Sequence, residues 1–205
     1  NCTLLNNIAP LWVALFALVV WHEKLDRWFW IGLIITLMGA MFILGSDFIS
    51  HPQLGLGDGL ALLSSLFYAG YFLITQVGRE KIPALQYIWS VNLVSALLLT
   101  AYNLFAGIPL TGYSPKTYLV FAAAGLISQT IGYFSITYAL GHLPASIVSP
   151  TMVIQIVLTS LLAIPLTGEK LTATQLIGGL AVLGGILLVN LTRKENKKEP
   201  DLIAE

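Results

Sequence analysis

Hydrophobic residues fill this chain in long blocks parted by short polar breaks, at roughly 4–20, 28–45, 59–77, 84–106, 117–141, 144–166 and 173–191. Each block is near the length of about 20 apolar residues that crosses a bilayer. None carries Asp, Glu, Lys or Arg in its interior. Lipid offers no hydrogen bonds to an open backbone, and the alternating stretches of about 10 residues that build membrane barrels are absent, so the blocks predict helices. The expected fold class is an all-α polytopic membrane protein with seven transmembrane helices in this chain. Composition agrees, since 57% hydrophobic and 10% charged residues out of 205 leave too little polar surface for a soluble globule. Connections such as 21–27, 78–83 and 167–172 are too short to hold an attached soluble domain.

The blocks are not independent of one another. Residues 11–27 (LWVALFALVVWHEKLDR) recur in outline at 157–173 (VLTSLLAIPLTGEKLTA), a shift of 146 positions. Superposing Glu23 on Glu169 also pairs Ile8 with Ile154, Leu15 with Leu161, Ala17 with Ala163, Lys24 with Lys170, Gly32 with Gly178 and Gly39 with Gly185. Passing from Glu23 to Glu169 crosses the membrane five times. Five is odd, so the two copies are expected to face opposite ways, as in inverted-repeat transporters. The second copy's first helix starts near Gly57, and the same shift places the first copy's start about 90 residues before Asn1. A fragment lacking three helices is expected, and the absence of Met at position 1 agrees.

Charge gives the orientation. Lys24, Arg27, Arg79, Lys81, Arg193, Lys194, Lys197 and Lys198 fall on one face, and Lys116 and Lys170 on the other. Basic residues collect in cytoplasmic loops, so the expectation is a multi-pass cell-membrane protein with its carboxyl tail in the cytoplasm and Asn1 outside. Ten basic and ten acidic residues give zero net charge and no nucleic-acid partner. Residues 193–205 are expected to form a disordered cytoplasmic tail with weak attraction to anionic lipid. Cys2 stands alone, which excludes an intrachain disulfide. His22, His51 and His142 are scattered in loops, and no metal motif, phosphate loop or nucleophile–base pair stands out. No catalytic residue, metal or cofactor is expected.

Several residues read as structural. Glu23 and Glu169 sit where a helix ends in a sharp turn, and Asp26 and Thr172 precede the next helix, where a side-chain oxygen can cap free N–H groups. Thr172 with Gln175 fits a capping box, and Ser114 before Pro115 fits a helix start. Gly32, Thr36, Gly39 and Ala40 in one helix, and Gly178, Ala181 and Gly185 in its counterpart, make stripes of small residues that allow helices to touch closely in lipid. Packing within the chain is the expected use of these stripes, and a homodimer interface the other.

Buried polar side chains are costly in a membrane and mark sites of function. Ser64, Tyr68, Tyr71 and Thr75 follow steps of four, three and four and so share one helix face. Gln129 and Tyr133, flanked by Gly125 and Gly132, lie four apart on the 117–141 helix, and Gln155 and Thr159 four apart on the next. Trp89 and Asn92 lie three apart. The first helix adds Asn7, Pro10 and Trp12, and Pro10 leaves the Asn6 carbonyl without its usual helical donor. Tyr68, Tyr71, Gln129, Tyr133, Gln155, Asn7, Trp89 and Asn92 are the expected substrate-binding residues. Interhelical hydrogen bonding is the competing role of each.

GDGLALLSSLFYAGYFL at 57–73, YFSITYALGHLPASIVSP at 133–150, and the segments ending HEKL and GEKL, each followed by a glycine-bearing helix, resemble the EamA-type transporters of the drug/metabolite transporter superfamily. The resemblance implies a ten-helix bundle of two inverted five-helix repeats. Residues 1–46 would then be the last two helices of the first repeat, and 57–192 the complete second repeat. Ile156 departs from the family, many of whose members have proline there, while the first copy has Pro10. The function so implied is a secondary transporter that exports a small organic solute such as an amino acid, metabolite or drug by alternating access. A seven-helix receptor would match the helix count but gives no reason for an inverted echo.

Overall fold

A computed structural model describes residues 5–50, 55–168 and 171–198. In chain order its helices are α1 (Ala9–Val20), α2 (Arg27–Ser50), α3 (Leu56–Arg79) and α4 (Ala84–Phe105). The fifth block holds α5 (Pro115–Ala123), a π-helical stretch (Ala124–Gly132) and α6 (Tyr133–Leu140). Then come α7 (Ala145–Met152), α8 (Ile154–Thr167) and α9 (Ala173–Lys198). No strand occurs among the described residues. The protein is an all-α polytopic membrane protein. Among the described residues six of the seven expected spans are helices long and apolar enough to cross a bilayer, and the first, Ala9–Val20, is a shorter apolar helix because the chain turns at Asn7–Ile8.

Three of the expected straight helices are interrupted, each for a local reason. The block at 4–20 turns at Asn7–Ile8, where Ile8 N–H bonds the Leu5 carbonyl at 3.2 Å and Leu11 N–H the Ile8 carbonyl at 2.8 Å, the tighter i→i−3 pattern. Pro10, just inside α1, has no N–H to continue an α ladder backwards. The block at 144–166 breaks at Val153, with Val153 N–H on the Pro150 carbonyl and Ile156 N–H on the Val153 carbonyl, both at 3.1 Å. Adding 146 to Asn7 gives Val153, so the two breaks share one register. The break is present although Ile156 is not proline; Pro150, three residues before Val153, has no N–H to give the Ser146 carbonyl. The fifth block keeps its length but widens to π geometry at its centre.

The helix ends follow the sequence closely. Ser114 Oγ accepts from Thr117 N–H at 3.2 Å with Pro115 behind it. Thr172 and Gln175 form the capping box: Thr172 N–H donates to Gln175 Oε1 at 2.9 Å, and Gln175 N–H to Thr172 Oγ1 at 3.3 Å. Asp58, in the first turn of α3, accepts from Gly55 N–H at 2.9 Å. After α1 the backbone passes through the left-handed region at His22 (φ 52°), and after α8 it does so at Gly168 (φ 74°), the equivalent position. Glu169 and Lys170 lie outside the described residues. The last helix runs on to Lys198, into the segment expected to be disordered.

Backbone contacts divide the chain into two compact units, Asn1–Leu73 with Ala145–Glu205, and Ile74–Pro144. In the first, α2 and α9 form the most extensive helix pair, and α1 packs on α7. Two apolar clusters fill it: Ala40, Ile43, Val153, Ile156, Val182 and Ile186, then Ala14, Phe29, Leu33, Ile147 and Val189. Between α2 and α9 the glycines meet in crossed pairs. A Cβ on Gly32 would lie 2.9 Å from the Gly185 carbonyl oxygen, and one on Gly39 would lie 2.6 Å from that of Gly178. As numbers rise along α2 they fall along α9, so the helices are antiparallel. Lipid provides no hydrophobic drive between helices, and close backbone contact takes its place.

In the second unit α4 packs on α6. Tyr87 Oη donates to the buried Thr75 Oγ1 at 3.2 Å. Arg79, at the end of α3, donates through Nε to the Thr137 carbonyl at 3.0 Å and through Nη1 to that of Ile82. A cation at helix C-termini is favoured by their negative dipole ends. Apolar side chains along α4 and 115–140 mostly face outward, as a lipid solvent allows.

Candidate functional site

The turn before α1 places short polar side chains against α3. Trp12 Nε1–H donates to Ser65 Oγ at 3.0 Å, and the Ser65 hydroxyl donates in turn to the Leu62 carbonyl at 2.7 Å. Ser64 Oγ donates to Asn6 Oδ1 at 3.3 Å. Asn7 is buried at the turn itself. One turn along α3 from Ser64, the rings of Tyr68 and Tyr71 stack with centroids 6.1 Å apart and planes 6° from parallel. Phe72 stands edge-on to both, at 4.9 and 5.8 Å. The helical spacing that singled out Ser64, Tyr68 and Tyr71 thus ends in a patch of aromatic faces and hydroxyls, with Asn6 added from before the turn and Trp12 from α1. Thr75, the last of that stripe, is wholly buried and committed to Tyr87.

A separate cavity of about 480 Å³ opens within the second unit. From α4 it is lined by Leu85, Ile88, Trp89 and Asn92, and from the opposite wall by Thr130, Ile131, Phe134 and Ser135. Its volume falls in the range of small-molecule sites, about 300–1,000 Å³. Trp89 and Asn92 meet here, as their spacing suggested. Gln129 and Tyr133 are not among the lining residues; Gln129 is exposed and Tyr133 half-buried. Their places are taken by Thr130 and Phe134, one residue further on. A π turn holds an extra residue, so a face counted at 3.6 residues per turn slips by one. Thr130 Oγ1 reports the wider turn by donating to the Gly125 carbonyl five residues back at 3.0 Å. Gln155 is exposed on α8 and joins neither group.

Of the two EKL segments, the structure describes the first in full. Ser146 Oγ, in the first turn of α7, donates to Glu23 Oε2 at 2.7 Å. Glu23 N–H returns to the Ala17 carbonyl at 3.1 Å. Ser146, Ser65, Asn6 and Thr130 were missed in the sequence because Ser, Thr and Asn are common hydrogen-bonding glue in membrane helices. Among the described residues no three His, Cys, Asp or Glu side chains come together to hold a metal.

Residues 55–191 match the EamA-like transporter family. The uncharacterized protein MJ1333.1 of Methanocaldococcus jannaschii is 32% identical over 134 residues, covering 65% of this chain and 95% of that protein. The uncharacterized transporter YdfC of Bacillus subtilis is 24% identical over 202 residues, covering 95% of this chain and 64% of the transporter. A crystal structure superposes with a TM-score of 0.76 at 15% identity, over 93% of this chain and 66% of that one, a likeness of fold. The chain therefore spans just under two thirds of the Bacillus transporter and of the superposed structure.

Proposed function

Because this chain belongs to the EamA-like transporter family, we propose that it is a secondary transporter moving a small organic solute by rocking two inverted repeats against each other. The crossed glycine pairs of α2 and α9 carry this reading. Gly32 meets Gly185 while Gly39 meets Gly178, and the 146-residue shift exchanges one pair for the other. Such self-complementary contact is the mark of a twofold axis. Between antiparallel membrane helices that axis lies in the membrane plane, as in inverted-repeat transporters. Residues 1–46 then hold the counterparts of the last two helices of residues 57–192. A receptor has no need of this arrangement.

The groups proposed to meet the solute are Asn7, Tyr68 and Tyr71 beside the α1 turn, Trp89 and Asn92 in the α4 cavity, and Gln129, Tyr133 and Gln155. None is charged, which favours a solute held by hydrogen bonds and ring faces over one that needs a buried countercharge. Amino acids, related metabolites and hydrophobic drugs fit that description. The basic face supports a cytoplasmic carboxyl tail, and export is the direction proposed. Counterflow into preloaded proteoliposomes, with a solute panel drawn from these classes, tests the function. Exchange of at least one solute is expected, reduced more than about tenfold, or about 1.4 kcal/mol, in Tyr71→Ala and Gln129→Ala at normal insertion. No counterflow of any solute removes the reading, and full counterflow in both variants removes the lining.

A further inference from the structure

Glu23 and Ser146 belong to different repeats in the transport reading, and their hydrogen bond sits at the end of the α1–α7 contact. Ser146 is 2% exposed and donates to the Glu23 carboxyl group at 2.7 Å. A hydroxyl bound to a carboxylate makes one of the stronger protein hydrogen bonds. The N-terminus of α7 adds a partial positive charge that favours a carboxylate there.

Directly behind this bond lies its opposite. Ser149, three residues along α7 and so on the same face, is 1% exposed, and its hydroxyl has no hydrogen-bond partner among the described residues. Pro150 follows it inside the helix and offers no N–H to the Ser146 carbonyl. Burying an unpaired hydroxyl costs free energy of the same order as a charge-assisted hydrogen bond contributes. One turn of helix therefore holds a bond that closes it and a group that gains from water. The Val153 break just beyond allows this end of α7 to move without bending α8.

We propose that the Glu23–Ser146 hydrogen bond is a latch that closes the Lys24 end of the solute path, and that Ser149 is the first group wetted when it opens. The proposal rests on the transport reading for its meaning but not for its test. Ser149→Cys, in a Cys2→Ser background reconstituted in proteoliposomes, reports wetting through its reaction rate with a membrane-impermeant sulfonated maleimide added on the Lys24 face. Slow labelling is expected with the latch intact. Adding Ser146→Ala or Glu23→Ala is expected to raise the rate about tenfold, while Ser146→Thr, which keeps the hydroxyl, leaves it slow. Unchanged rates in both Ser146→Ala and Glu23→Ala overturn the latch. A parallel rise at Ala40→Cys, buried in α2, also overturns it, because that reports general loosening. Should Ser146→Ala fail to insert, Glu23→Ala and the Ala40→Cys control decide alone. Lost counterflow with a responsive latch would remove the transport reading only.

Discussion

At Gly39 there is no room for one methyl group. Its Cβ would stand 2.6 Å from the Gly178 carbonyl oxygen and 2.7 Å from the Val182 nitrogen. Both are backbone atoms, so the strain is relieved only by parting two helices, and overpacking of this kind costs about 1–3 kcal/mol. Gly39→Ala and Gly178→Ala are expected to lower the Tm in detergent by several degrees. Gly184→Ala, whose Cβ would meet nothing within 4 Å, is expected to melt at or above the parent, since alanine is the better helix former. Equal melting of Gly39→Ala and the parent would mean that the seam is looser than it stands here. The glycines were legible in the sequence as a stripe, and even as equivalent pairs. Their partners were not, because Gly32 touches the equivalent of Gly39 rather than its own.

Helix ends were the most legible elements, because their chemistry is local. The capping box at Thr172 and Gln175 needs only those two side chains, and Thr172→Ala is expected to cost about 1 kcal/mol of unfolding free energy in detergent. The left-handed residue that closes α1 and α8 is His22 in one copy and Gly168 in the other. A left-handed conformation costs a residue with a Cβ about 1–2 kcal/mol. Gly168→Ala should therefore destabilise by about that much, and His22→Gly should stabilise by about 1 kcal/mol or a little less, since glycine also adds freedom to the unfolded chain. Thermal unfolding of the pair checks both signs. The π stretch was not legible: the 3.6-residue count that chose Gln129 and Tyr133 has no means of sensing an added residue per turn, and the cavity took Thr130 and Phe134.

For the whole molecule, the compact units and the proposed repeats follow different boundaries. The first compact unit draws together residues from both ends of the chain, because α2 lies along α9 and α1 along α7. The proposed inverted pair accounts for this, since each copy then packs its last helix against that of the other. Sidedness gives the global check on that pairing. In a Cys2→Ser background, Lys24→Cys and Lys170→Cys are expected to react with impermeant maleimide from opposite faces of the membrane, Lys24→Cys on the side of the carboxyl tail. Labelling of both from one face would undo the inverted repeat and with it the transport mechanism.

Membrane residence, the helical class, the rough limits of the long helices and the echo at 146 residues were determined by the sequence alone. Each is a matter of local composition or of like residues at a fixed interval, and lipid enforces the first two at every position. Which glycine faces which, the break of α1 and α7–α8 in one register, the place of Thr130 in the wall of the α4 cavity, and the bond from Ser146 to Glu23 across 123 residues were decided only by tertiary structure. These depend on how helices distant in sequence cross and rotate against one another, and no spacing along a single chain segment contains that angle.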